Sequence, residues 1–232
     1  MSHCHCEAME RRFDIQRVRR ELTQYHRHGA AKATRLLIEA LAAESLEGVT
    51  LLDIGGGVGA IQHVLVPAGL SSALDVDASA AYLAVASQEA ERRGLAERIR
   101  FAHGNFVELA STIPPADLVT LDRVICCFND MPALVSLSAA RAEKLYGVVF
   151  PHDSWYRRLF NQVRNGMLAI AGLPIHFYVY RAGAIDAVVR AQGLERRFSC
   201  VVGMWQVVIY VRNAPFTANA SRNTSSANEE RV

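Results

Sequence analysis

No apolar run long enough to cross a bilayer occurs in the 232 residues, so a transmembrane helix is not expected. Charge of neither sign is in excess. The 25 Lys and Arg against 23 Asp and Glu leave a net +2, too weak a field to favour nucleic acid. The N-terminal residues are polar and charged, unlike a signal peptide. Cysteine is scarce and odd in number, with five in the chain. Without a secretion signal, that argues for reduced thiols and a cytoplasmic protein, and the sequons at Asn219 and Asn223 carry no weight. No internal repeat is present. What remains is 51% hydrophobic and 21% charged, the composition of one globular domain with a sizeable core.

The chain is organised around Thr50-Leu51-Leu52-Asp53-Ile54-Gly55-Gly56-Gly57-Val58-Gly59-Ala60. The apolar lead-in reads as a buried strand, the glycines as a tight turn, and residues 60–65 as a helix. Glycine suits such a turn because it tolerates positive φ and lets a ligand approach the backbone. A strand, glycine turn and helix in this order is a nucleotide or nucleoside site in a parallel α/β sheet. Gly55-x-Gly57-x-x-Ala60 satisfies the dinucleotide fingerprint of NAD and FAD proteins. The same residues also spell Asp53-x-Gly55-x-Gly57-x-Gly59.

Elsewhere the pattern alternates strand and helix. Residues 7–28 read as a helix with the apolar stripe Ile15, Val18, Leu22, Tyr25 and an arginine-rich opposite face, most simply a solvated one. A second helix spans 31–44. Strands follow at 72–76, 99–102, 117–121 and 147–150, with helices at 80–93 and 130–144 between them. Residues 155–171 read as an inserted helix with Leu159, Val163 and Met167 apolar, residues 176–180 as an extended segment, and residues 184–192 as a short helix. Two final strands are separated only by Gly203 and Met204, which predicts antiparallel neighbours. The adjacent Cys126 and Cys127 suit buried free thiols better than a disulfide or metal pair. His3-Cys4-His5-Cys6 lacks the spacing of a structural zinc site and reads as part of a mobile terminus. The expected organisation is a flexible terminus (1–6), a helical cap (7–45), the main domain (46–213) and a disordered tail (214–232).

The stretch from Leu51 to Val149 resembles the class I S-adenosylmethionine-dependent methyltransferases, most specifically through Asp53-x-Gly55-x-Gly57-x-Gly59 and less so through Asp77-Ala78-Ser79 and Gly104-Asn105. Leu121-Asp122-Arg123-Val124-Ile125-Cys126-Cys127 and the trailing helices resemble the magnesium-protoporphyrin O-methyltransferase branch, from which no substrate is carried over. The resemblance implies a doubly wound, Rossmann-like, mostly parallel sheet ending in an antiparallel hairpin, with capping helices in front. It implies S-adenosylmethionine as cofactor. Asp53 would then lie beside the methionine moiety, where a pyrophosphate would be repelled. Asp77, beside Ala78, would accept from the ribose diol, or else favour the next helix, which Ser79 could cap. Asn105 stands where the family usually has Asp, and its carbonyl can still accept from the adenine amine. Phe106 would stack on adenine or pack in the core. Asp122 and the residues through Phe128 would border donor and acceptor, being at a strand's carboxyl end.

The implied reaction is in-line displacement onto a small-molecule acceptor, with O-methylation favoured. His152 and Asp153 follow the fifth strand and are the candidate catalytic pair, His152 as a general base or as a structural histidine. His176 and Tyr178 are further acceptor contacts. Asn-Pro-Pro-Tyr, Asp-Pro-Pro-Tyr and Pro-Cys motifs are absent, which argues against nucleic-acid base methylation. The other readings are an NAD-dependent oxidoreductase and a non-catalytic S-adenosylmethionine-binding module. No residue pattern specifies an oligomeric state.

Overall fold

The computed structural model describes residues 14–172 and 176–212; His3 to Cys6, the first turns of the predicted first helix and the tail lie outside them. The seven strands are β1 (Thr50–Ile54), β2 (Ser72–Asp77), β3 (Ile99–His103), β4 (Ala116–Asp122), β5 (Ala142–Pro151), β6 (Leu194–Val202) and β7 (Trp205–Arg212). They form one sheet in the order β3-β2-β1-β4-β5-β7-β6. All pairs are parallel except β5 with β7 and β6 with β7. The terminal antiparallel hairpin turns at Gly203, whose φ is +58°.

Central strands of a parallel sheet are buried on both faces, and here successive residues serve opposite layers. Leu52, Val119, Val148 and Val208 pack into one core with Phe106, Leu134 and Ile185. Their neighbours Leu51, Leu118, Val149 and Ile209 pack into the other with Leu37, Ile61 and Ala90. The helices of the described residues are α1 (Ile15–His28), α2 (Lys32–Ala42), α3 (Ala60–Leu65), α4 (Ala80–Arg92), α5 (Phe106–Leu109), α6 (Met131–Ala140), α7 (Trp155–Ile170) and α8 (Ala182–Ala191), and α2 to α6 with α8 supply the helical residues of the two cores. Asp14 caps α1 by accepting from the Arg17 amide at 2.8 Å, and the helix ends at Gly29. Val18, on its buried side, packs with Val58, Tyr82 and Val85.

One expectation is corrected. The helix expected to run to Lys144 stops at Ala140, and Ala142 already pairs with Ala116 of β4. Burial of Ala142 and Tyr146 and the Lys144 to Asp117 ion pair at 2.8 Å hold this segment in the sheet. Residues 176–180 join no strand of the sheet; their backbone is fixed by the Tyr178 amide donating to the Cys126 carbonyl at 2.8 Å. The apolar stripe Leu159, Val163 and Met167 of α7 faces outward, each more than half exposed. Only Asn161 and Asn165 of that helix are buried.

Candidate functional site

β1 and β4 are neighbours, yet the chain leaves β1 toward β2 and β3 and leaves β4 toward β5. The connections therefore diverge at the carboxyl ends of β1 and β4, the crevice where open α/β sheets hold ligands. A cavity of about 520 Å³ lies there, within the size range of small-molecule sites.

The glycine turn forms its floor. Gly55 has φ +68°, and a Cβ on it would come within 2.5 Å of a Val124 methyl. Gly57 has φ +60° and faces open space up to the Tyr82 ring at 3.8 Å. The backbone is thus bare where a ligand would lie against it. At the end of β2, one oxygen of Asp77 accepts from the Ser79 amide at 2.8 Å. Burial pushes the Asp77 carboxyl up to about 6, against the opposing pull of the Ser79 and Gly57 amides. Ser79 also caps α4, accepting from the Tyr82 amide, as the helix-start reading of this corner expects. Ala78, Asn105, Phe106 and Asp122 complete this half of the wall. Asn105 Oδ1 accepts from the Val107 amide at 3.1 Å and Nδ2 donates to Glu108 at 3.0 Å, so Asn105 caps α5 while facing the cavity. Phe106 belongs to both the core and the wall. Asp122 accepts from the Thr34 hydroxyl at 2.6 Å and from Arg123 at 3.3 Å. Arg123 is the one non-glycine residue with positive φ, +61°, among the described residues, a conformation that persists only where surroundings impose it.

Six expected site residues, Asp53, Gly59, Ile125, His152, Asp153 and His176, lie off the wall. Asp53 sits below the floor, fully buried, with its carboxylate held in the sheet by donation from Thr120 Oγ1 at 2.7 Å and Gln62 Nε2 at 3.1 Å. Burial pushes it up to about 6. Its strand register sets it beside Asp75, whose own carboxyl burial raises well above the usual range. Asp53 therefore positions the turn from beneath. Gly59 starts α3 at φ +83°, also behind the cavity. The His152 amide donates to the Met204 carbonyl at 2.9 Å, and Asp153 pairs with Arg158 at 3.1 Å; neither side chain lines the wall, although Pro151 does. Tyr178 lines it and His176 does not. Of the run from Arg123 to Phe128, all but the buried Ile125 line it. Neither Cys126 nor Cys127 is in a disulfide. The Cys127 contact and burial raise the Cys126 thiol well above its usual value, so it is no nucleophile.

The opposite half of the wall comes from Arg157, Phe160, Asn161 and Arg164 of α7, Phe177, and Trp205 of β7. Sequence reasoning missed these. Arg157, Asn161 and Arg164 do recur at i, i+4 and i+7, which is a signal of a shared polar face.

The family model of the O-methyltransferase domain matches residues 7–142. No curated protein matches the chain. Among solved structures, magnesium protoporphyrin IX methyltransferase from Synechocystis PCC 6803, crystallised with S-adenosylhomocysteine, is similar at 20% identity and TM-score 0.62, over 78% of this chain and 81% of that one. An O-methyltransferase family protein from Burkholderia thailandensis is similar at 15% identity and TM-score 0.64, over 78% of this chain and 57% of that one. An O-methyltransferase family 2 protein from Planctomyces limnophilus, in complex with apigenin, is similar at 15% identity and TM-score 0.57, over 80% of this chain and 63% of that one. No described helix is long and apolar enough to cross a membrane. With the glycine turn, the strand-end carboxylate and the sheet order in place, the chain belongs to the O-methyltransferase domain family, among the class I methyltransferases that take their methyl group from S-adenosylmethionine.

Proposed function

We propose that this chain methylates an oxygen of a small, planar acceptor. The observation that carries this reading is the two-sided cavity: bare glycine backbone and Asp77 on one side, aromatic side chains on the other. The cofactor supplies a methyl group made electrophilic by the adjacent sulfonium. Asp77 accepts from its ribose diol, Gly55 and Gly57 allow close backbone approach, and Ala78, Asn105 and Phe106 border its adenine. Asp53 and Asp122 shape the methionine end, Asp53 from beneath the turn. Phe160, Phe177, Tyr178 and Trp205 hold a flat apolar body and exclude water, so that the acceptor oxygen is presented in line, which is the main source of rate in such a displacement. The apigenin bound to the Planctomyces limnophilus protein is an acceptor-sized molecule of this shape. No histidine stands among the described lining residues. An acceptor oxygen that arrives ionised, as a carboxylate does, needs no general base.

Calorimetric titration with S-adenosylmethionine, S-adenosylhomocysteine and NADH tests the cofactor half. The first two should bind and NADH should not, and Asp77→Ala should weaken binding roughly tenfold to a hundredfold, as expected for a lost charge-assisted hydrogen bond. Binding of NADH alone would overturn the reading. Transfer of a labelled methyl group to a panel of hydroxylated and carboxylated aromatics tests the acceptor half; no transfer to any member would leave only a binding module.

A further inference from the structure

We infer that Arg157 and Arg164 form an anion-recognition pair that selects an aromatic carboxylate as the acceptor. The inference rests on the methyl-transfer reading above and names its substrate class. Both arginines sit on the cavity face of α7, with Asn161 between them. The helix carries no acidic residue, and neither guanidinium has a carboxylate partner among the described residues. The neighbouring arginines differ: Arg158 pairs with Asp153, and Arg123 pairs with Asp122.

The donors of the pair are only partly used. Arg157 Nη2 donates to the Gly203 carbonyl at 2.8 Å, while its Nη1 is buried without a partner. Arg164 Nη2 donates to Asn161 Oδ1, while its Nε is likewise buried without a partner. The Arg164 guanidinium lies over the Phe177 ring, 4.1 Å from its centre, which holds its plane while leaving N–H groups on its edge. A buried charged donor left unsatisfied is costly and calls for a partner. The guanidinium fork matches a carboxylate in shape as well as charge. Charge is uneven along the cavity: Glu21 on α1 and Asp77 and Asp122 at the strand ends share their side with Arg17 and Arg123, whereas the charged side chains that α7 gives the wall, Arg157 and Arg164, are both basic. Phe160 and Tyr178 beside the pair provide apolar surface for the ring that carries the anion.

The test compares two probes of one shape, 2-naphthoate and 2-naphthamide, titrated into the full chain saturated with S-adenosylhomocysteine. Naphthoate should bind about tenfold or more tightly than naphthamide. The double variant Arg157→Gln/Arg164→Gln should lose that preference while keeping its circular dichroism and its affinity for S-adenosylhomocysteine. Arg158→Gln should retain the preference. Equal affinity for the two probes, absence of naphthoate binding, or a preference that survives the double variant would overturn the assignment. A double variant that loses S-adenosylhomocysteine in parallel would also overturn it, by placing the pair on the cofactor. Failure of the wild-type chain to bind S-adenosylhomocysteine would instead sink the methyl-transfer reading itself.

Discussion

The Tyr82 hydroxyl donates to the Glu21 carboxylate at 2.7 Å, which ties α4, on the sheet, to α1, the helix laid over the cavity. Burial, and then the neighbouring Glu21 charge, raise the Tyr82 hydroxyl above its usual value, so it remains a donor at all working pH. Tyr82→Phe removes this bond with little change of shape. Loss of a hydrogen bond to a charged acceptor costs about 1.5–3 kcal/mol. The expected result is faster amide exchange across α1 and weaker S-adenosylhomocysteine binding, with β1 and β4 protection unchanged. Unaltered exchange in α1 would show that Val18 packing alone secures that helix.

Asp77 gives stability and binding opposite signs. Its carboxyl, like that of Asp53, is raised to about 6 by burial, so between the ordinary carboxylate range and pH 6 the folded chain binds more protons than the unfolded one. Stability of the ligand-free protein should therefore rise as pH falls from about 8 toward 5. Asp77→Asn should raise the melting temperature at pH 8, flatten this pH dependence and weaken cofactor binding. A variant less stable than wild type at pH 8 contradicts the assignment.

Gly55 and Gly57 should differ in how they fail. Gly55→Ala places a methyl 2.5 Å from Val124 at φ +68°, so it should destabilise the fold. Gly57→Ala meets only ordinary contact with Tyr82 at 3.8 Å, and its backbone strain costs about 1–2 kcal/mol. It should fold yet bind S-adenosylhomocysteine poorly, because the new methyl occupies the space left for the ligand. Thermal melts beside calorimetry separate the two, and full cofactor affinity in Gly57→Ala would refute the placement.

Asn165 clamps the Phe177 segment of the cavity wall. It donates to the Phe177 carbonyl at 2.7 Å and accepts from the Phe177 amide at 3.1 Å, closing two bonds on one residue of an irregular segment. Asn165→Ala leaves both backbone groups without this partner. The expected signature is a KM for acceptor raised several-fold with S-adenosylmethionine affinity unchanged. A change in cofactor affinity alone would show that the segment serves the other half of the cavity.

The fold was legible where local chemistry and global packing agree. Buried runs such as Leu51–Ile54, glycines at Gly55 and Gly94, and the two-residue turn at Gly203 mark elements by sterics alone. The end of α6 was not, because Ala139, Ala140, Arg141 and Ala142 all favour helix locally and only pairing with Ala116 turns the chain into β5. The floor and strand-end half of the cavity was legible because its residues adjoin the glycine turn and the strand ends in sequence. Asp53 carried the right motif but not the right depth, since register and hydrogen bonding decide whether a strand-end carboxylate faces a ligand or the sheet. Arg157 and Arg164 share a helical spacing with Asn161, but only tertiary folding brings them to Phe177 and Trp205, and the strand-end loop drew attention to His152 and Asp153 instead.

The anchoring of α7 by two asparagines rather than by a greasy face has an evolutionary consequence. Hydrogen bonds from Asn161 and Asn165 fix the helix at a few points, while most of its length contributes nothing to the core. Drift along α7 is therefore decoupled from the viability of the domain. A lineage built on this scaffold can change the chemistry of this cavity wall by substitution at Arg157, Phe160 or Arg164 without first passing through an unfolded ancestor.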